Sequence, residues 1–180
     1  MKLLLIFIAF VPFGLAPAQT NPQKTVAKPI VVRSGSTTRG DFWVILGKLS
    51  SAADTILGNE KRSNSKPDRL DDPVTRTEII TALKGTFDHF RPKFRVAPRP
   101  GFVDMKAIKE RNPLTTQSNL EILVKWGMIG PVGPLVVGPG ENLSPQQVGD
   151  ALGYFFSQLT ILTHKALPKW TPKIEPQDGG

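Results

Sequence analysis

The sequence predicts a small, mainly α-helical protein built from two helix-loop-helix repeats with short extended segments. Its 180 residues suit one domain, and the 39% that are hydrophobic allow a packed interior. Apolar residues recur every three or four positions in four stretches, which is the spacing of amphipathic helices. Loops punctuated by Gly and Pro separate these stretches. We therefore expect short helices with irregular connections.

The first 18 residues predict a secretory signal peptide. A positive charge at Lys2 precedes the apolar run 3–11, and the small residues Ala16 and Ala18 stand at −3 and −1 of a cut. Prolines and a glycine interrupt the run before it reaches the roughly 20 residues that a membrane span needs. We expect an exported protein of the cell envelope or extracellular space, with no transmembrane segment after cleavage.

Polar, proline-bearing segments flank the predicted helical body. Residues 19–40 are basic and predict a flexible arm with at most a short extended piece at 30–32. Residues 168–180 predict an extended tail. The folded part is expected between about 41 and 166.

The first predicted repeat covers residues 41–92. One amphipathic helix runs from Asp41 to Leu57, where Gly58 provides a stop. A second helix follows Thr75, which forms the pattern of a capping box with Glu78, and ends before Arg91-Pro92.

The second predicted repeat covers residues 101–163. A helix fits Thr116 to Trp126 and breaks at Gly127. The last helix has Ser144 as its cap, Pro145 at the first helical position and Gln147 at the capping-box position. Between these helices, the run Leu135-Val136-Val137 predicts an extended segment.

The two repeats correspond at an offset of 69 residues. This offset aligns Gly58 with Gly127, Thr75 with Ser144 and Glu78 with Gln147, and the apolar stripe of the following helix stays in register. Unrelated amphipathic helices would share the stripe but not the matching caps and equal gaps. We infer a duplication.

Several motifs resemble the S-layer homology repeat of bacterial cell-surface proteins. Residues 73–79, Pro-Val-Thr-Arg-Thr-Glu-Ile, are similar to its Thr-Arg-x-Glu helix start. Phe102-Val103-Asp104-Met105 resembles its aromatic-Asp opening, and residues 123–130 resemble its helix end with two glycines. Pro139 stands four residues before Leu143-Ser144, as in the family's extended segment.

The resemblance implies a small helical bundle that binds acidic polysaccharides of the cell wall or peptidoglycan-associated polymers. The family commonly has three units, whereas two are visible here, so self-association or a further unit would be needed to complete the bundle. Pro145 replaces the family's Arg in the second unit, and the first unit has no clear aromatic-Asp opening. The resemblance therefore assigns ligand binding to the first unit.

The charge distribution favours an anionic partner. Lys and Arg outnumber Asp and Glu by 23 to 15, and residues 19–100 carry fifteen cations against eight anions. Arg76 stands at a helix start, where an anion is favoured, and Arg91, Lys93 and Arg95 form a second cluster. The alternative is that these cations are a solvated surface that only aids solubility. Export disfavours nucleic acid as the physiological partner.

The remaining residues predict no enzyme and no cofactor. Trp43 and Trp126 are candidate platforms for sugar stacking, although core packing is favoured. The chain has no Cys and two His, and no grouping of its residues predicts a metal, nucleotide or catalytic site. Two alternatives stay open. One is an envelope assembly module that binds another protein through its helical surface, and the other is a small secreted hydrolase with carboxylates that the sequence does not place.

Overall fold

The computed structural model describes residues 31–32, 36–61, 67–97, 104–137, 140–167 and 173–174. The described part is mainly helical, which confirms the predicted fold class. Its elements are β1 (Val31–Val32), α1 (Arg39–Leu57), α2 (Arg76–Phe90), a 3-10 turn (Arg91–Lys93), α3 (Met105–Arg111), α4 (Leu114–Lys125), α5 (Pro134–Val137), α6 (Pro145–Thr163) and β2 (Lys173–Ile174). The predicted signal peptide at 1–18 lies outside the described residues.

The helices enclose one apolar core. Helix α2 packs against α4, α3 packs against α4 and α5, and α6 packs against α1 and α5. Five phenylalanines are the largest fully buried side chains, and they come from α1, α2 and α6: Phe42, Phe87, Phe90, Phe155 and Phe156. The short strands β1 and β2 pair in parallel and join the two ends of the described chain.

The predicted helix signals are present. Thr75 and Glu78 form a complete capping box, and so do Ser144 and Gln147. Gly58 ends α1 in the left-handed region at φ 62°, and Gly127 follows α4 at φ 65°. A side chain on Cβ disfavours this conformation, which is why Gly stands at both positions.

One local prediction was wrong, and one helix was not predicted. Residues 135–137 belong to helix α5 rather than an extended segment, because Pro134 presets a helical φ and the Gly133 carbonyl accepts from the Val136 and Val137 amides. Helix α3 was not predicted because its apolar pattern is weak. Among its described side chains, Ile108 is the one that is buried. The Asp104 carboxylate starts this helix by accepting from the Lys106 amide.

The predicted basic arm ends earlier than residue 40. Thr38 is the N-cap of α1 and its hydroxyl accepts from the Asp41 amide, so Arg39 and Gly40 are already helical. Gly40 also lies close to the loop before α2, since its amide donates to the Leu70 carbonyl at 2.8 Å. A Cβ at position 40 would lie 3.2 Å from that oxygen.

Helices α1, α2 and α6 share one pattern of burial. Counted from their caps, Thr38, Thr75 and Ser144, positions 4, 7, 8, 11, 12 and 15 are buried in all three. Helix α4 differs, because Pro113 precedes it without a side-chain cap. The structure therefore adds α1 to the correspondence between α2 and α6.

Candidate anion-binding site

The start of α1 is held by the segment that precedes α2. Thr38 forms a bridge with Pro73, and the Arg39 amide donates to the Asp72 carbonyl at 2.8 Å. The Arg39 guanidinium donates to the carboxylates of Asp72 at 3.1 Å and Glu78 at 2.7 Å. The guanidinium of one residue therefore connects the start of α1 to the start of α2.

The start of α2 is held in the same way by the segment that precedes α6. Thr75 forms a bridge with Asn142, and the Arg76 amide donates to the Glu141 carbonyl at 2.6 Å. The Arg76 guanidinium lies 3.6 Å from the Glu141 carboxylate. In both places the acid stands three residues before the next cap, and we call these two arrangements the helix-start clamps.

Arg76 therefore does not lie where the sequence placed it. It was predicted as an anion contact at an open helix start, but its side chain is only 8% exposed and pairs with Glu141. The Glu141 carbonyl also accepts a hydrogen bond from the Arg76 amide, so the first amide of the helix already has a partner. The sequence could not show this, because the partner comes from the second repeat.

Arg39 is the residue that the sequence reasoning missed. The signal was present, since Thr38-Arg39-Gly40-Asp41 repeats the Thr-Arg-x-acid pattern of residues 75–78. Gly40, a poor helix former, makes this segment resemble the end of a loop.

Glu78 carries the electrostatic effect of the first clamp. Burial raises its pKa, but hydrogen bonds from the Thr75 backbone and hydroxyl and from Arg39 favour the ionised carboxylate. The net result is a pKa below the ordinary value. Glu78 is thus held as an anion inside the fold and is not a free ligand contact.

The second predicted cluster lies on a segment with a well-defined backbone. We call residues 91–95 the basic loop. It begins with the 3-10 turn that follows α2, where the Phe94 amide donates to the Arg91 carbonyl at 3.1 Å. The Arg95 amide donates to the Leu162 carbonyl near the end of α6 at 2.7 Å. Both ends of the loop are therefore attached to the helical body.

The side chains of the basic loop differ from those of the clamps. Arg91 and Arg95 are exposed and Lys93 is half-buried. Within the part of the chain that the structure describes, none of the three has a carboxylate at ion-pair distance. The loop thus presents positive charge that the described residues leave uncompensated.

An aromatic cluster supports the basic loop. The half-buried Trp126 ring lies 5.4 Å from the Phe87 ring and 5.7 Å from the Phe94 ring, centre to centre. The Arg91 guanidinium lies over the indole at 5.1 Å from the ring centre, within the range of a cation–π contact. The structure therefore brings Arg91, Phe94 and Trp126 together.

Trp43 lies in a different place. Its half-buried ring meets Phe42 edge-on on α1 and packs against the core. The favoured interpretation of both tryptophans was core packing, and both do pack against the core. Only Trp126 is also in contact with a cation of the basic loop.

A buried acid–histidine pair joins α1 to α2. The Nε2 atom of His89 lies 2.6 Å from the Asp54 carboxylate, whose side chain is 2% exposed. The His89 side chain itself is half-buried. Within the described ranges, no three His, Asp or Glu side chains are grouped so that they could hold a metal ion.

A shallow apolar groove of about 190 Å³ lies between α6 and the segment before it. Tyr154 and Asp150 stand on its α6 side. Its lining is Ile129, Gly130, Gly133, Pro134, Leu135, Asp150, Ala151 and Tyr154.

Two further findings bear on the candidate site. None of the helices that the structure describes has both the length and the apolar character needed to span a bilayer. Comparison of the chain with protein-family models, curated proteins and solved structures gave no match. The case for function therefore rests on the residues and their geometry.

Proposed function

We propose that the chain is an exported, non-enzymatic protein that attaches to the cell envelope by binding an anionic polysaccharide or a peptidoglycan-associated polymer. The binding surface is the basic loop at the end of the first repeat. One observation carries the proposal: Arg91, Lys93 and Arg95 have no carboxylate partner among the described residues, whereas Arg39 and Arg76 do. The basic loop is thus a cluster of cations that the described residues leave available for an external anion.

The aromatic cluster supports a polymeric ligand with sugar units. A half-exposed indole beside cations offers apolar contact next to charge, which suits an acidic sugar. The backbone attachment of the loop lowers the cost of ordering it on binding.

The three similar helix starts support the resemblance to S-layer homology units. Thr38-Arg39, Thr75-Arg76 and Ser144-Pro145 open helices with a common burial pattern. This arrangement supplies a third helix start within the chain itself. It is consistent with a bundle that needs no second copy to provide the third unit.

The test is retention of the purified protein on immobilised acidic wall polymer at two salt concentrations. The variant Arg91→Ala/Lys93→Ala/Arg95→Ala is compared with Lys48→Ala/Lys61→Ala/Lys109→Ala, which removes the same charge from exposed lysines elsewhere. We expect the loop variant to lose about a hundredfold in affinity, or about 2.8 kcal/mol, and to lose most of the salt dependence. Equal retention of the two variants would contradict the proposal.

The alternative function is an assembly module, and the apolar groove beside α6 favours it. Asp150 places a negative charge at the groove of a cationic protein, so the envelope protein that fits has an apolar side chain next to Lys or Arg. Under this alternative, localisation depends on Asp150 and Tyr154 and is unchanged by removal of wall polysaccharide.

A further inference from the structure

The indole of Trp126 is a fixed platform. Two rings from different segments, Phe87 on α2 and Phe94 on the basic loop, contact it at inclined angles of 61° and 47°. Its own amide donates to the Ile122 carbonyl at the end of α4. Ring and backbone are therefore both held by the fold.

Arg91 is positioned on this platform. It follows the last residue of α2, and its backbone stays helical, at φ −51° and ψ −39°, where the 3-10 turn continues the helix. With its guanidinium already over the indole, Arg91 has given up part of its side-chain freedom before any ligand arrives. Preorganisation of this kind favours binding because less entropy is lost on association.

The side chains of Lys93 and Arg95 lack the support that Arg91 has. Neither has a described aromatic ring beneath its charge, and Arg95 is anchored only through its backbone amide. Such side chains attract an anion over a distance but do not determine its geometry. The basic loop thus combines one ordered guanidinium with two adaptable charges.

We infer that Arg91, held over Trp126, determines specificity at the basic loop. Its guanidinium would donate two parallel hydrogen bonds to one carboxylate or phosphate group. Guanidinium donors form a rigid fork that matches the paired oxygens of these groups, and an ammonium group cannot reproduce it. The inference rests on the proposed function, because it names the chemistry that the same surface recognises. Lys93 and Arg95 then contribute attraction that any polyanion shares.

The experiment compares two substitutions that conserve charge. Arg91→Lys keeps the charge and removes the fork, and Arg95→Lys is the matched control on the same loop. Binding of the full chain is measured by calorimetry with polygalacturonate, which carries carboxylates, and with polyphosphate. We expect Arg91→Lys to weaken binding about tenfold at unchanged salt dependence, and Arg95→Lys to change it less than about twofold. If affinity falls with one polymer only, Arg91 recognises the anionic group of that polymer. If it falls with both, Arg91 recognises the paired oxygens that carboxylate and phosphate share.

A second variant tests the platform. Trp126→Leu removes the surface beneath Arg91 while leaving every charge in place, and circular dichroism with urea unfolding establishes that it folds. We expect it to reproduce the Arg91→Lys loss, and Trp126→Phe, which retains a ring, to recover at least half of it. Should Trp126→Leu fail to fold, the comparison of Arg91→Lys with Arg95→Lys decides alone.

The two proposals fail in different ways. Equal binding by Arg91→Lys and Arg95→Lys overturns the specificity role of Arg91, provided that the triple alanine variant of the loop still loses affinity. Retention of affinity by that triple variant overturns the proposed function itself.

Discussion

The helix-start clamps and the basic loop use the same residue type in opposite ways. Arg39 is half-buried and Arg76 is buried, and each pairs with an acid three residues before the next cap, whereas Arg91 is exposed and lies over Trp126. A guanidinium with an internal carboxylate partner holds elements together, and one without such a partner is available to a ligand. The comparison shows that a cationic sequence motif reveals its role only once its partners are known.

The largest expected effect is on stability and separates the two groups of arginines. Arg76→Ala removes a buried side chain together with its ion pair to Glu141, so we expect a loss of about 2 kcal/mol in the free energy of unfolding. Arg91→Ala removes one exposed cation–π contact and is expected to cost about 0.5 kcal/mol. Urea unfolding of both variants measures the difference. Equal costs would mean that the clamp does not hold the fold together.

Glu78→Gln tests the charge of the first clamp without removing the cap. Gln147 stands at the equivalent position of α6 and completes a capping box there, so Gln at position 78 should retain the cap geometry. The lost interaction is the ion pair with Arg39, which is partly exposed, and we expect a cost of about 1 to 1.5 kcal/mol. A double-mutant cycle with Arg39→Met isolates the pair. A coupling energy near zero would contradict this assignment.

The same variant predicts a pH dependence. Because the pKa of Glu78 is lowered in the folded protein, its contribution to stability is complete above the ordinary pKa of a Glu side chain and is lost as the pH falls through the lowered value. Glu78→Gln has no such carboxylate. The difference in unfolding free energy between wild type and variant should therefore be largest near neutral pH and shrink in acid. A difference that grows as the pH falls would have the wrong sign.

Among the substitutions at the helix starts, the smallest expected effects are at the caps. Thr75→Ala and Ser144→Ala each remove a hydroxyl that accepts from an amide of the first turn, at a typical cost of about 1 kcal/mol. Thr75 should cost slightly more than Ser144, because its hydroxyl also donates to Glu78 at 3.0 Å. Thermal unfolding of the two variants, with Thr81→Ala as the control on an exposed face of α2, measures the order. A larger cost for Ser144→Ala than for Thr75→Ala would show that the hydrogen bond from the Thr75 hydroxyl to Glu78 does not add to stability.

Local signals account for what was predictable. The caps and stops at Thr75, Ser144, Gly58 and Gly127 were confirmed because each depends on hydrogen bonds or backbone angles within a few residues. Helix α3 was missed because its amphipathic pattern is weak. Helix α5 was mistaken for an extended segment because its β-branched residues suggest a strand, while Pro134 and burial favour a helical turn.

The candidate site was predictable only in part. The sequence indicated Arg91, Lys93 and Arg95 as a cluster and Trp126 as a possible platform, and the structure places Arg91 over Trp126. It also indicated Arg76 as the main anion contact, whereas the Arg76 side chain is buried and pairs with Glu141. Nothing within the sequence near Arg76 specifies Glu141, since the pairing depends on how α2 packs against the segment before α6.

By itself, the sequence determined where most helices begin and end, how their apolar faces repeat and that Pro145 stands in the second repeat where Arg76 stands in the first. These properties follow from backbone angles and hydrogen bonds between near neighbours. Only the tertiary structure decided which arginines are used internally and which remain exposed. The physical reason is that a guanidinium pairs with the carboxylate that packing brings to it, and the Glu78 that meets Arg39 stands 39 residues away along the chain.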